Sequence, residues 1–193
     1  IGSSAASGVT LEIYPAGAQK PLLTTVSDPN GNYAMDIPTG GVSWVGEIRT
    51  ISKEYIPSHI YPSGLSKSLL DLNIPVLTPD ARELAGTLAD VTIEETDAIV
   101  MAIIIDCNED EIVGATISTD LASGDQFYLT PNAPFLDGDA VTTSDSGSAI
   151  ILKATANAQT PGKAKVMAAY GGRTWEVTVD VIPGEISFAI FLP

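Results

Sequence analysis

Few residues in this chain are equipped for chemistry. His59 is its only histidine and Cys107 its only cysteine. His59 lies between Pro57 and Pro62 in a segment rich in Tyr and Ile. An imidazole can activate a serine, but that serine is typically presented on a Gly-x-Ser-x-Gly elbow, and the chain has none. His59 therefore reads as a surface or satisfied structural histidine. Cys107 has no histidine or basic neighbour to favour its thiolate, and Asp106, Asn108, Glu109 and Asp110 surround it. It reads as a semi-buried structural thiol. Zinc needs several His or Cys ligands, which the composition does not supply.

The sharpest polar cluster is Asp106-Cys107-Asn108-Glu109-Asp110-Glu111. Asp106, Asn108 and Asp110 alternate as oxygen ligands do in a calcium loop. Against a full site, the sixth position is Glu111 rather than glycine and the twelfth is Ile117 rather than glutamate. The plain alternative is a solvated acidic turn. Trp44, Trp175, Tyr55, Tyr61, Phe127 and Tyr128 offer a different chemistry, stacking on a glycan, but both tryptophans lie in alternating patterns that suit a core as well. No catalytic, metal or cofactor-binding residue is assigned, and no cofactor is expected.

The elements that hold these residues read as short strands. Thirteen prolines and seventeen glycines punctuate a chain rich in Val, Ile and Thr. Residues 9–14 alternate, with Val9, Leu11 and Ile13 on one face. Residues 22–26 follow, then the turn Asp28-Pro29-Asn30-Gly31 and a return strand over 33–38. Further strands are expected over 42–51, 56–61 and 69–77. Thr78-Pro79-Asp80 supplies an N-cap, a proline at the first helical position and an early acid, and Leu84 and Leu88 stand four apart. This predicts one helix over 79–89. The apolar run 98–105 suits a buried central strand. Strand 114–119, a polar loop over 119–138, a hairpin over 141–152 through Asp145 and Gly147, and strands 163–170, 173–181 and 186–192 complete the series. Gly8-Val9-Thr10-Leu11 answers Gly114-Ala115-Thr116-Ile117, and the Asp28…Gly31 turn answers Asp145…Gly147. That order of signals points to a duplicated unit.

Charge is uneven. Residues 1–79 carry six acids and four bases, whereas residues 80–193 carry eighteen acids and five bases, within a net of −15. Such a surface repels phosphate backbones, so nucleic acid is excluded as a partner, and its plain role is solubility. No run approaches the length of a membrane span, and no signal-peptide pattern opens the chain.

With its Gly114-Ala115-Thr116 strand, Thr142…Asp145…Gly147 hairpin, Gly171-Gly172 and Pro183-Gly184 turn, the second half resembles the carboxypeptidase regulatory-like, or transthyretin-like, domain family. The first half resembles it through residues 8–14 and Ser27-Asp28-Pro29-Asn30-Gly31-Asn32-Tyr33. The resemblance implies an all-β protein of two tandem transthyretin-like Greek-key β-sandwich domains, residues 1–79 and 98–193, with a short helix and linker over 80–97. It also implies a non-catalytic structural or interaction module, exported to the periplasm, cell surface or exterior, with lipid or surface anchoring upstream. The alternatives are a pilus or filament subunit completed by strand donation and a carbohydrate or small-ligand binding module. Residues 1–7 are too short and polar to supply the family's first strand. The first domain is therefore expected to be open beside Leu11 and Ile13, completed in trans or by further sequence, and to meet a protein partner or a second copy through that edge. The last strand, 186–192, is expected to close its own domain.

Overall fold

The computed structural model describes residues 5–65, 74–106, 108–132 and 135–192. In the first part of the chain the strands are β1 (Thr10–Pro15), β2 (Leu23–Val26), β3 (Gly46–Ile51) and β4 (Ser58–Pro62), followed by the helix α1 (Pro79–Ala89). The second part forms β5 (Ala98–Ile104), β6 (Thr116–Thr119), β7 (Ser123–Leu129), β8 (Leu136–Asp137), β9 (Ser148–Thr155), β10 (Lys163–Tyr170), β11 (Arg173–Asp180) and β12 (Ile186–Phe191). Among the described residues the protein is β-rich with one short helix.

The strands form two sheets. Nine run in the order β2-β1-β3-β4-β12-β5-β9-β7-β8, and three in the order β11-β10-β6. All pairings are antiparallel except those of β12, which is parallel to β4 on one side and to β5 on the other. Every residue of β12 is buried, as are six of the seven in β5. That explains their composition: strands covered on both faces need apolar side chains at even and odd positions alike. On one face Val100, Ala102, Ile104, Ile151 and Phe191 meet Ile117, Val166, Val177 and Val179 of the small sheet. On the other, Ile99, Met101, Phe188 and Ile190 join Leu11, Ile13, Ile48 and Ile60 in a second core, with Ala89 and Ile93 packed against it.

The helix follows from its local signals. Thr78 Oγ1 accepts from Ala81 N at 3.1 Å, Pro79 starts the helix, and Asp90 ends it in the left-handed region at φ 55°. Its buried face, however, is Arg82, Ala85 and Gly86, while Leu84 is exposed. The chain folds back so closely that a Cβ on Gly86 would lie 2.7 Å from Val91 O. Close approach of backbone, rather than a leucine stripe, seats this helix.

The repeated signals correspond hydrogen bond by hydrogen bond. Gly8 N donates to Ser27 O and Ser27 N to Val9 O; Gly114 N donates to Thr143 O and Thr143 N to Ala115 O. The Ser27 hydroxyl accepts from Val9 N and donates to Ala6 O. The Thr143 hydroxyl accepts from Ala115 N and donates to Ile112 O. The neighbour order β4-β3-β1 likewise matches β11-β10-β6.

Several expected strands are placed differently. Residues 33–38 form no strand, although Tyr33, Met35 and Ile37 pack on the second core at the expected alternation. Residues 74–77 are not a strand either, and 69–73 lie outside the described residues. The loop expected over 119–138 contains β7 and β8, while 141–147 is a loop and its strand starts at Ser148. β7 escapes apolar patterning because its first residues are exposed.

The open edge beside Leu11 and Ile13 is also corrected. β1 is flanked by β2 and β3, and both side chains are buried. The free side of β4 is filled from within the chain by β12, which serves both halves, and Ala5 to Ser7 add no strand. No helix among the described residues is long and apolar enough to cross a membrane.

Candidate functional site

The alternation of β3 and β4 sends Ile48 and Ile60 into the second core and Glu47, Arg49, His59 and Tyr61 to the opposite face. Register aligns the polar row. Glu12 of β1 stands opposite Arg49 of β3, Arg49 opposite His59 of β4, and His59 opposite Ser187 of β12. β11 packs over β4 and β12 at this point, bringing Asp180 to the row.

His59 is buried between two carboxylates. Its Nδ1 meets Glu47 Oε1, and its Nε2 lies 2.5 Å from Glu185 Oε2 in the turn that leads into β12. Glu47 also receives a bidentate contact from Arg49, Nε to Oε1 at 2.8 Å and Nη2 to Oε2 at 2.9 Å. The Arg49 guanidinium lies 4.2 Å above the Tyr14 ring, and the Tyr14 hydroxyl donates to Glu12 at 2.7 Å. Alongside, the Tyr61 hydroxyl donates to Asp180 Oδ2 at 2.8 Å, Lys163 pairs with Oδ1, and Ser187 Oγ donates to Asp180 O at 2.5 Å.

The electrostatics follow from these contacts. Burial alone would raise the Glu47 pKa, but hydrogen bonds from His59 and Arg49 outweigh it and hold the group down at about 2. Burial disfavours the charged His59, yet hydrogen bonds to Glu47 and Glu185 prevail and raise its pKa above the ordinary value. Burial, reinforced by Glu47 and Asp180, pushes the Tyr61 hydroxyl upward. An imidazolium with both N–H groups donated has no lone pair for a nucleophile's proton or for a metal. Among the described residues no group of three or more His, Cys, Asp or Glu side chains is arranged to hold a metal ion.

The other candidate residues lie elsewhere. Asp106 Oδ1 accepts from Asn108 N at 2.7 Å and Asp110 N at 3.1 Å, and Oδ2 from Asn108 Nδ2 at 3.2 Å. Its carboxylate thus closes its own loop. The Asp28 loop is built alike, with Asn30 N and Asn32 N each 2.8 Å from Asp28 Oδ1. Asp145 is exposed, and Cys107 lies outside the described residues. The aromatics are dispersed: Trp44 and Phe127 join one core, while Tyr61, Tyr128 and Trp175 join the other.

The charged row itself was missed beyond His59. Its signal is the period-2 placement of Glu47 and Arg49 around Ile48 in β3, and of His59 and Tyr61 around Ile60 in β4. Glu185 has no local signal, being 126 residues from His59. The chain matches no protein-family model and no curated protein sequence.

Proposed function

We propose that this chain is a non-catalytic structural and interaction module of an exported or cell-surface protein, with two transthyretin-like halves joined into one rigid body. The observation that carries the reading is β12, hydrogen-bonded along one side to β4 and along the other to β5. A strand shared in this way couples the two halves, since neither core keeps its wall if the strand leaves. The only histidine supports the same reading, because its ring nitrogens are spent on holding Glu47 and Glu185 rather than left to move protons. The exported placement draws on the resemblance of the turn motifs to transthyretin-like modules.

The slot that strand donation from another molecule would need beside β4 is occupied by β12. Contact with a protein partner is therefore assigned to β2, the outermost strand of the first half, where Val26 at its end and Leu22 just before its start are exposed. Two measurements test the proposal. Calorimetry should give a single unfolding transition with equal calorimetric and van't Hoff enthalpies, and two resolved transitions would contradict the rigid body. Ester, phosphoester, glycoside and peptide substrates should not be turned over, and a turnover lost in His59→Ala would overturn the non-catalytic reading.

A further inference from the structure

We propose that the Glu47–His59–Glu185 bridge is a pH-operated clasp between the first half and the shared strand β12, closed by the protonated imidazole and opened when the ring loses its proton. The contact joins β4 to the turn before β12, and so spans the seam at which the two halves meet. The two carboxylates are not held equally. Glu47 is buried, has the bidentate Arg49 contact, and keeps it whatever the state of the ring. The Glu185 side chain is 30% exposed, and its one hydrogen bond among the described residues is to His59.

A neutral imidazole has one N–H and one lone pair, so it can donate to only one of two facing carboxylates, and its lone pair repels the other. Glu47 keeps the donor. Glu185 turns to water, and the turn before β12 then rests on backbone contacts: Glu185 N to Ile182 O, Gly184 N to Thr96 O, Ile186 N to Pro57 O and Ile99 N to Glu185 O, each 3.1 Å.

The other charged and titratable groups around the ring do not replace the lost link. From β1, Glu12 is bonded to Tyr14, which lies under Arg49. On β4, Tyr61 donates to Asp180 of β11, and Lys163 of β10 pairs with the same carboxylate. Each is already engaged, and Arg82 of α1, buried behind the same turn, donates to Glu95 O at 3.0 Å. The raised His59 pKa is consistent with a clasp that is closed around neutrality and opens on the alkaline side.

The test follows the His59 ring nitrogens by NMR from about pH 6 to about pH 9.5. In parallel, it follows amide exchange at Ile186 and Ser187, corrected for the intrinsic base-catalysed rate. The wild type should show one ring titration above the ordinary histidine value, and across it amide protection at these residues should fall about tenfold. In Glu185→Gln, where no second carboxylate faces the ring, protection should not change across the ring titration. A ring that does not titrate in this range would overturn the proposal. So would a titration that leaves protection unchanged, or an undiminished change in Glu185→Gln.

Discussion

Glu47 is 9% exposed and yet charged, because three donors from Arg49 and His59 converge on its two oxygens. Its pKa in the folded protein is about 2, below that of the same side chain in an unfolded chain. A carboxylate shifted this way contributes stability that is complete above its unfolded value and is lost as pH falls toward about 2. Glu47→Gln should therefore destabilise the protein at pH 6 by roughly 2–3 kcal/mol, the cost of leaving two charged donors short of an acceptor. Urea midpoints should show the gap between variant and wild type narrowing as pH is lowered. An unchanged gap at about pH 2.5 would show that the charge on Glu47 is not what stabilises the fold. Only His59 was legible from the sequence; Glu47 and Arg49 join it through the pairing of β3 with β4, and the partner that completes the bridge was not legible either. Glu185 lies in a Pro-Gly turn far along the chain, and only the parallel register of β12 against β4 brings it to the ring.

At the level of elements, legibility tracks how local the determinants are. Helix α1 was readable to the residue because Thr78, Pro79 and Asp80 act within one turn. β5 was readable because burial on both faces leaves a continuous apolar run. β7 was not: three exposed residues open it, and its existence depends on pairing with β9. That pairing includes a bulge at which Lys153, exposed and without glycine's freedom, takes φ 53° while its neighbours on both sides skip register. Lys153→Gly should raise the unfolding free energy by about 0.5–1 kcal/mol by relieving the left-handed backbone; a loss of stability would mean the lysine side chain matters more than its backbone. The repeated hydroxyl staples offer a paired comparison. Thr143→Val and Ser27→Ala each leave a backbone N–H without its partner and should each cost about 1–3 kcal/mol in chemical denaturation. If only one is sensitive, the correspondence between the two halves is geometric and not energetic.

At the scale of the molecule, the two cores share one sheet as their common wall. Phe188 lies on the β12 face toward the second core, and Phe191 on the face toward the first. Phe188→Ala, at a fully buried position, should cost roughly 3–5 kcal/mol. Its effect should reach both halves: single-tryptophan proteins keeping only Trp44 or only Trp175 should show equal shifts in midpoint. A shift confined to Trp44 would show that the cores unfold separately. The all-β character and the twofold order of turn signals were visible in the chain, but the merging of strands from both halves into one sheet was not. Parallel pairing over so long a separation leaves no trace in local pattern; the apolar character of β12 says that it is buried, not between which neighbours.

The direction in which β12 runs has a mechanical consequence. β1 is antiparallel to β3, β3 to β4, and β4 is parallel to β12, so β1 and β12 point the same way in the sheet. Tension applied between the start of β1 and the end of β12 therefore acts along the strands and drags β12 lengthwise against β4 and β5. Rupture then has to break two ladders of backbone hydrogen bonds together instead of peeling them one at a time. Under an atomic force microscope, pulling from Thr10 and Phe191 should meet a high resisting force, whereas pulling across the sheet from Pro15 and Phe191, which lie at the same end of their strands, should meet a lower one.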